Sequence, residues 1–125
     1  VKTTNFFNLG EDIFFYDKNF PVKEGKIVGL DAKGATIFYT QQNGAYRIRK
    51  GKYDRIFKTK DMKELLDKFG LNEQEVYTFS SEIVIGYAVK GKGTIVGINN
   101  KYALMLLNKT IYITSIQNLL KNNPK

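Results

Sequence analysis

Gly25-Lys-Ile-Val-Gly-Leu-Asp-Ala-Lys-Gly-Ala-Thr-Ile-Phe-Tyr39 decides how this chain reads. Gly93-Thr-Ile-Val-Gly-Ile-Asn-Asn-Lys-Tyr-Ala-Leu-Met-Leu-Leu107 follows the same pattern without a gap. Six of the fifteen aligned positions are identical: both glycine pairs, the Ile-Val pair, one Lys and one Ala. Leu30 answers Ile98, and Asp31 answers Asn99. Apolar runs separated by turn formers predict a strand-turn-strand unit in each copy, and common hairpin rules or duplication would both produce such a pair. Gly29 and Gly97 fall inside the strands, where glycine weakens pairing and permits a bulge or sharp coiling.

Working outward, Asn43-Gly44 predicts a two-residue hairpin turn whose central positions both need positive φ, joining Ala35–Gln42 to Ala45–Arg49. Asn108-Lys109 predicts the same role between Tyr102–Leu107 and Thr110–Thr114. Each half is then a three-stranded meander. Ile13–Tyr16 and Ile83–Val89 supply a preceding strand to each half, and Tyr53–Phe57 a further one to the first. The expected fold is mainly β, a β-rich α+β chain with two meanders curled into a small barrel or pseudobarrel. It forms one compact domain over 1–125, with a first meander at 1–60, an acidic helical connector at 61–82 and a second meander at 83–125.

In the connector the period changes to 3.6. Met62, Leu65, Leu66 and Phe69 form one helical stripe, with Asp61 or Thr59 as N-cap and Gly70 as the stop. Asn72 followed by Glu75 predicts a second, short helix start. Together these fit helix-turn-helix spacing, but Glu73 and Glu75 would then face phosphates, which opposes DNA reading by this element. Ser115–Leu120 is expected to form a final turn or short helix, and Asn122–Lys125 a loose tail.

The charge is uneven. The formal total is +8; residues 1–60 hold twelve Lys/Arg against six Asp/Glu, 61–82 two against six, and 83–125 six against none. Two basic segments therefore flank an acidic one, a distribution that attracts polyanions. The chain has no Cys and no His, which removes disulfides, thiolate nucleophiles, the commonest general base and the commonest zinc ligands. Glu11 and Asp12 are adjacent and would point to opposite faces of a strand; Asp17 and Asp54 stand alone near turns. No enzyme, metal or cofactor is expected. Ile83–Val89 is the longest apolar-leaning stretch and is too short to span a bilayer, and no charged-then-apolar leader opens the chain. A cytoplasmic location follows as the expectation.

The densest basic run is Tyr46-Arg-Ile-Arg-Lys-Gly-Lys-Tyr-Asp-Arg-Ile-Phe-Lys58. Strand alternation puts Arg47 and Arg49 on one face and Tyr46 and Ile48 on the other, with Lys50 and Lys52 flanking a turn glycine at the rim. Arg holds phosphate bidentately and Tyr offers a flat platform for a base, so Arg47, Arg49, Lys50, Lys52 and Arg55 are candidate phosphate or base contacts, and Tyr46 and Tyr53 candidate stacking partners. A solvated outer face with half-buried tyrosines is the plainer account of the same residues. Lys90, Lys92 and Lys101 form a candidate second basic patch at or near loops. Lys at strand ends also blunts sheet edges. The Val89–Thr94 loop lacks the spacing of a phosphate-binding fingerprint.

Gly-Lys-Ile-Val-Gly-Leu and Gly-Thr-Ile-Val-Gly-Ile, set in meanders, resemble small SH3-like barrels of the KOW or Tudor kind, over about Leu9–Phe57 and more loosely Glu82–Leu120. A single PUA-like pseudobarrel is similar as well. Both KOW-like and PUA-like resemblances imply RNA contact, Tudor-like barrels imply peptide binding, and no site residue transfers from any of them. The leading expectation is a non-catalytic, regulatory RNA-binding module. The alternative is a protein-interaction module of a phage, plasmid or other mobile element, in keeping with abundant Lys, Asn, Ile and Tyr.

Overall fold

The computed structural model describes residues 7–16, 22–81 and 89–124. The chain divides into two compact units, Val1–Lys60 and Asp61–Lys125. Each is mainly β, and the β-rich α+β class is borne out.

The first unit is antiparallel throughout. It holds β1 (Asp12–Phe15), β2 (Lys23–Leu30), β3 (Gly34–Thr40), β4 (Tyr46–Lys52) and β5 (Ile56–Lys58), in the order β4-β3-β2-β1-β5. Alternation and register bring Ile13, Phe15, Ile27, Ala35, Ile37 and Ile56 to one buried face, which Phe7 joins. Burying each of the larger side chains contributes about 2 kcal/mol. Tyr53–Arg55, expected to be strand, is a 3-10 turn. The Tyr53 hydroxyl donates to the Asp31 carbonyl at 2.5 Å and its ring lies 6.1 Å from Phe7, so the chain folds back before β5 can begin.

The second unit holds α1 (Lys63–Phe69), β6 (Tyr77–Ser80), β7 (Lys90–Ile98), β8 (Tyr102–Leu107), β9 (Thr110–Ser115) and α2 (Ile116–Asn122). The α1 stripe buries Met62, Leu65 and Leu66, and Gly70 ends the helix with its N–H and that of Leu71 bonded back to Leu66 O. Neither Thr59 nor Asp61 caps it: Asp61 has φ 53°, and Met62 occupies the cap position without a side-chain bond. No helix starts at Asn72. Asn72 Oδ1 accepts from Gln74 N at 2.8 Å and Asn72 O from Glu75 N at 3.2 Å, which closes a turn, and the alternately buried Tyr77 and Phe79 then run as strand. The connector is therefore one helix and one strand, and a helix-turn-helix is excluded.

β7 pairs with β6 over Lys90–Gly93 and with β8 over Thr94–Ile98, so the expected 89–94 loop is mostly strand. The strand expected at Ile83–Val89 lies outside the described residues, apart from Val89. The expected short C-terminal helix is present, capped by Ser115 Oγ accepting from Asn118 N at 3.1 Å. The tail is fixed rather than loose as far as Asn123, whose side chain accepts from Thr78 N at 2.9 Å and donates to Thr78 O at 2.7 Å.

The β2–β3 and β7–β8 hairpins share their local geometry. Register shifts fall at Ile27/Gly29 and at Ile95/Gly97, the positions where strand glycines predicted bulges. Asp31 Oδ1 accepts from the N–H groups of Lys33 and Gly34; Asn99 Oδ1 accepts from those of Lys101 and Tyr102. Asp31 N–Gly34 O and Asn99 N–Tyr102 O are both 3.0 Å.

Among the described residues the strands do not close into the expected barrel or pseudobarrel. Among the described residues β4 and β5 do not pair with each other, nor do β6 and β9. One bulge per hairpin bends a sheet without returning its last strand to its first. Among the described residues no helix is long and apolar enough to cross a membrane.

Candidate nucleic-acid interface

The β3–β4 turn sets the geometry of the basic run. Gly44 N donates to Gln41 O at 2.9 Å and Gln41 N to Ala45 O at 2.8 Å, while Asn43 Oδ1 accepts from Ala45 N at 3.0 Å. Gly44 has φ 86°, and Asn43 does not have positive φ. This is a three-residue loop with a left-handed glycine bulge, not the expected two-residue turn. It pairs Thr40 with Tyr46, Tyr39 with Arg47, Phe38 with Ile48, Ile37 with Arg49, Thr36 with Lys50 and Gly34 with Lys52.

Directly paired residues share a face. Arg47 and Arg49 therefore stand with Tyr39 and Ile37, on the face that carries the core. Arg47 is exposed and Arg49 half-buried at its margin. Tyr46, Ile48, Lys50 and Lys52 stand on the open face with Phe38. The division of Arg from Tyr follows the alternation, but Lys50 and Lys52 are strand residues beside Tyr46 rather than the flanks of a turn; Gly51 between them faces Ala35.

On that open face Tyr46 is 69% exposed and Ile48 65%. The Tyr46 ring stacks on Phe38, with centroids 5.2 Å apart and planes 20° from parallel. Lys26 pairs with Phe38 from β2 and sits 3.6 Å from Asp12. The Lys50 ammonium is ion-paired with the Asp31 carboxylate, and Lys52 is exposed. Sequence reasoning put Ile48 on the Tyr46 face but missed Phe38 and Lys26 as members of this surface, which the β3–β4 and β2–β3 registers bring to it.

Other candidates are placed differently. Tyr53 is half-buried, with its ring against Phe7 and its hydroxyl bonded, so it offers no open platform. The Arg55 guanidinium lies 5.0 Å from the Tyr16 ring centroid, a cation–π contact within the unit. In the second unit Lys90 and Lys92 project from one face of β7 beside Ser80 and Thr78. Lys101 lies in the turn beyond the other end of that strand, its ammonium 5.5 Å from the Tyr102 ring centroid. At about 3.3 Å per residue the strand holds Lys92 and Lys101 roughly 20 Å apart, so the three do not form one patch.

The carboxylates diverge. Glu11 reaches Lys58, and Asp12 reaches Lys26 and Lys60. Asp17 lies outside the described residues. Among the described residues no three metal-ligating side chains converge. No protein-family model matches the chain, and neither curated proteins nor solved structures yield a match.

Proposed function

We propose that this chain is a non-catalytic nucleic-acid-binding module that takes unpaired RNA on the open face of β3 and β4. The observation that supports this reading is the exposed Tyr46 ring, backed by Phe38 at 5.2 Å, on a strand that carries four cations and no acid. A ring held by a second ring is a platform whose orientation is already fixed, so a base stacks on it at low entropic cost. Lys50 and Lys52 share its face and Arg47 is exposed on the other face of the same strand, a distribution of cations that suits the backbone of a stacked RNA strand. A shallow sheet surface suits splayed bases better than the groove of a duplex.

The test is binding of labelled single-stranded RNA, duplex DNA and heparin across a salt series. RNA is expected to bind more tightly than heparin. Tyr46→Ala should weaken RNA about tenfold, within the range of about 1–3 kcal/mol for one stacked base. Arg47→Ala with Lys52→Ala should weaken it further and flatten the salt dependence. Absence of saturable binding to every nucleic acid near physiological salt would overturn the reading.

One observation favours a second reading, a protein-interaction module. Among the described residues β4 pairs only with β3, and Ile48 is exposed on it, so an extended partner segment could add to that edge. A discrete protein that co-purifies with the chain in the absence of nucleic acid is the outcome that selects it.

A further inference from the structure

The two equivalent turns differ in one charge. Asn99 completes its turn with a neutral side chain, its Oδ1 accepting from Lys101 N at 2.8 Å and Tyr102 N at 2.7 Å. Asp31 makes the same two bonds through Oδ1, to Lys33 N at 2.8 Å and Gly34 N at 3.0 Å. The turn therefore needs a side-chain oxygen at this position and does not need a carboxylate. The second oxygen, Oδ2, is the one that carries the distinction, and it is paired with the Lys50 ammonium.

Lys50 is not a peripheral residue. It stands on the open face of β4, four residues from Tyr46 and two from Lys52. About half of each side chain in the pair is exposed, so an approaching phosphate meets Lys50 and Asp31 together. Lys50 also lowers the Asp31 carboxyl below its ordinary range, with the Lys33 N–H as the next cause, so the acid is charged at neutral pH.

We infer that Asp31 is a specificity-determining residue of the β4 face: by neutralising Lys50 it reduces the general attraction for polyanions and leaves discrimination to stacking on Tyr46. The inference rests on the nucleic-acid reading above. A ligand that offers only negative charge gains from Lys50 nothing that Asp31 does not oppose. A ligand that also offers unpaired bases keeps the Tyr46 contribution in full. The device raises the ratio of single-strand to generic polyanion binding at the expense of total affinity.

Asp31→Asn is the direct test, since Asn99 shows that this side chain can close the turn. Asp67→Asn, an exposed acid on α1, changes net charge equally and serves as the control. Affinities for single-stranded RNA and heparin are measured across a salt series for the wild type, both variants and the Asp31→Asn/Lys50→Ala pair. Asp31→Asn is expected to raise heparin affinity about fivefold and RNA affinity about twofold, lowering the RNA-to-heparin ratio. The logarithmic salt slope for both ligands should steepen by a little under one, as one added phosphate contact requires. Adding Lys50→Ala should remove the gain. A gain no larger than that of Asp67→Asn, or one that survives Lys50→Ala, overturns the inference while leaving RNA binding by the wild type intact. If the wild type binds RNA no more tightly than heparin, the nucleic-acid reading itself fails. The thermal midpoint of Asp31→Asn, expected close to that of the wild type, checks that the turn has survived.

Discussion

The Lys58 ammonium lies 2.7 Å from Glu11 Oε2, with the two side chains only 7% and 10% exposed. Glu11 Oε1 accepts from Asn8 N at 2.9 Å, and the Lys58 ammonium is also 5.9 Å from the Phe7 ring centroid. The pair thus fastens the segment entering β1 to β5, across the face that carries the core. Glu11→Gln preserves an oxygen for Asn8 but removes the negative charge that faces the buried Lys58 ammonium. Breaking such a pair costs about 3–5 kcal/mol. Glu11→Gln is expected to lose about 3 kcal/mol by urea denaturation, and Glu11→Leu with Lys58→Met should recover most of it. Equal losses in the single and the double variant would show that the charges are not what matters.

The β8–β9 turn leaves room for improvement. Asn108 has φ 52° and Lys109 φ 68°, so Leu107–Thr110 is closed by the two-residue turn that the sequence predicts there. Asn enters this region more readily than Lys, whose side chain makes no local bond to offset a Cβ penalty of about 1–2 kcal/mol. Lys109→Gly should therefore raise stability by about 1 kcal/mol, less the added entropy of the unfolded chain. The thermal midpoint is the measurement, and a fall in it would contradict the strain argument.

The same dipeptide logic fails at β3–β4, and the reason is physical. A two-residue Asn43-Gly44 turn would set Ile37 opposite Lys50 and Tyr39 opposite Ile48, turning Tyr46 and Ile48 toward the core. The observed register, Ile37 with Arg49, differs by one residue, and one residue reverses every side chain of β4. Asn-Gly serves both loop types, so the local sequence does not choose; tertiary packing does. By contrast, the α1 stripe, its Gly70 stop and the bulges at Gly29 and Gly97 were legible, because each is fixed by residues a few positions apart. β6 and the anchoring of Asn123 were not, since Asn123 bonds to Thr78, 45 residues away. The Asp31–Lys50 pair, spanning 19 residues, was hidden for the same reason.

Two tyrosines are expected to shape the alkaline limit. Burial, the largest cause for each, pushes the Tyr53 and Tyr77 phenols above their ordinary 10.0, with Asp31 adding to the rise at Tyr53. A group with a raised folded pKa holds its proton more tightly when folded. Its contribution is full below the unfolded value and is lost as pH rises through the folded one. Stability should therefore hold to about pH 10 and then fall. Tyr53→Phe with Tyr77→Phe should show a shallower alkaline fall. It should also be less stable at neutral pH, because Asn72 N loses the Tyr77 hydroxyl oxygen it donates to at 2.8 Å. Thermal midpoints of both proteins from pH 7 to 11 decide it, and parallel curves would assign the alkaline loss to other groups.

Gly44→Ala and Gly93→Ala should fail for opposite reasons. At Gly44 a Cβ would meet nothing within 4 Å, and the difficulty is φ 86° alone. The expected cost is about 1 kcal/mol, and Gly44→Asn should cost less, since Asn enters the left-handed region more readily. Gly93 is extended in β7, so its backbone suits any residue, but a Cβ there would sit 2.3 Å from the Leu106 carbonyl oxygen. That atom is backbone of the paired strand and cannot swing aside. The strands must separate, and the expected cost is about 2–3 kcal/mol, in the range for overpacking. Gly93→Asn should be no better than Gly93→Ala. Urea midpoints for the four variants separate the two causes: rescue by Asn at Gly93, or its absence at Gly44, would reverse the assignment of strain to one position and crowding to the other.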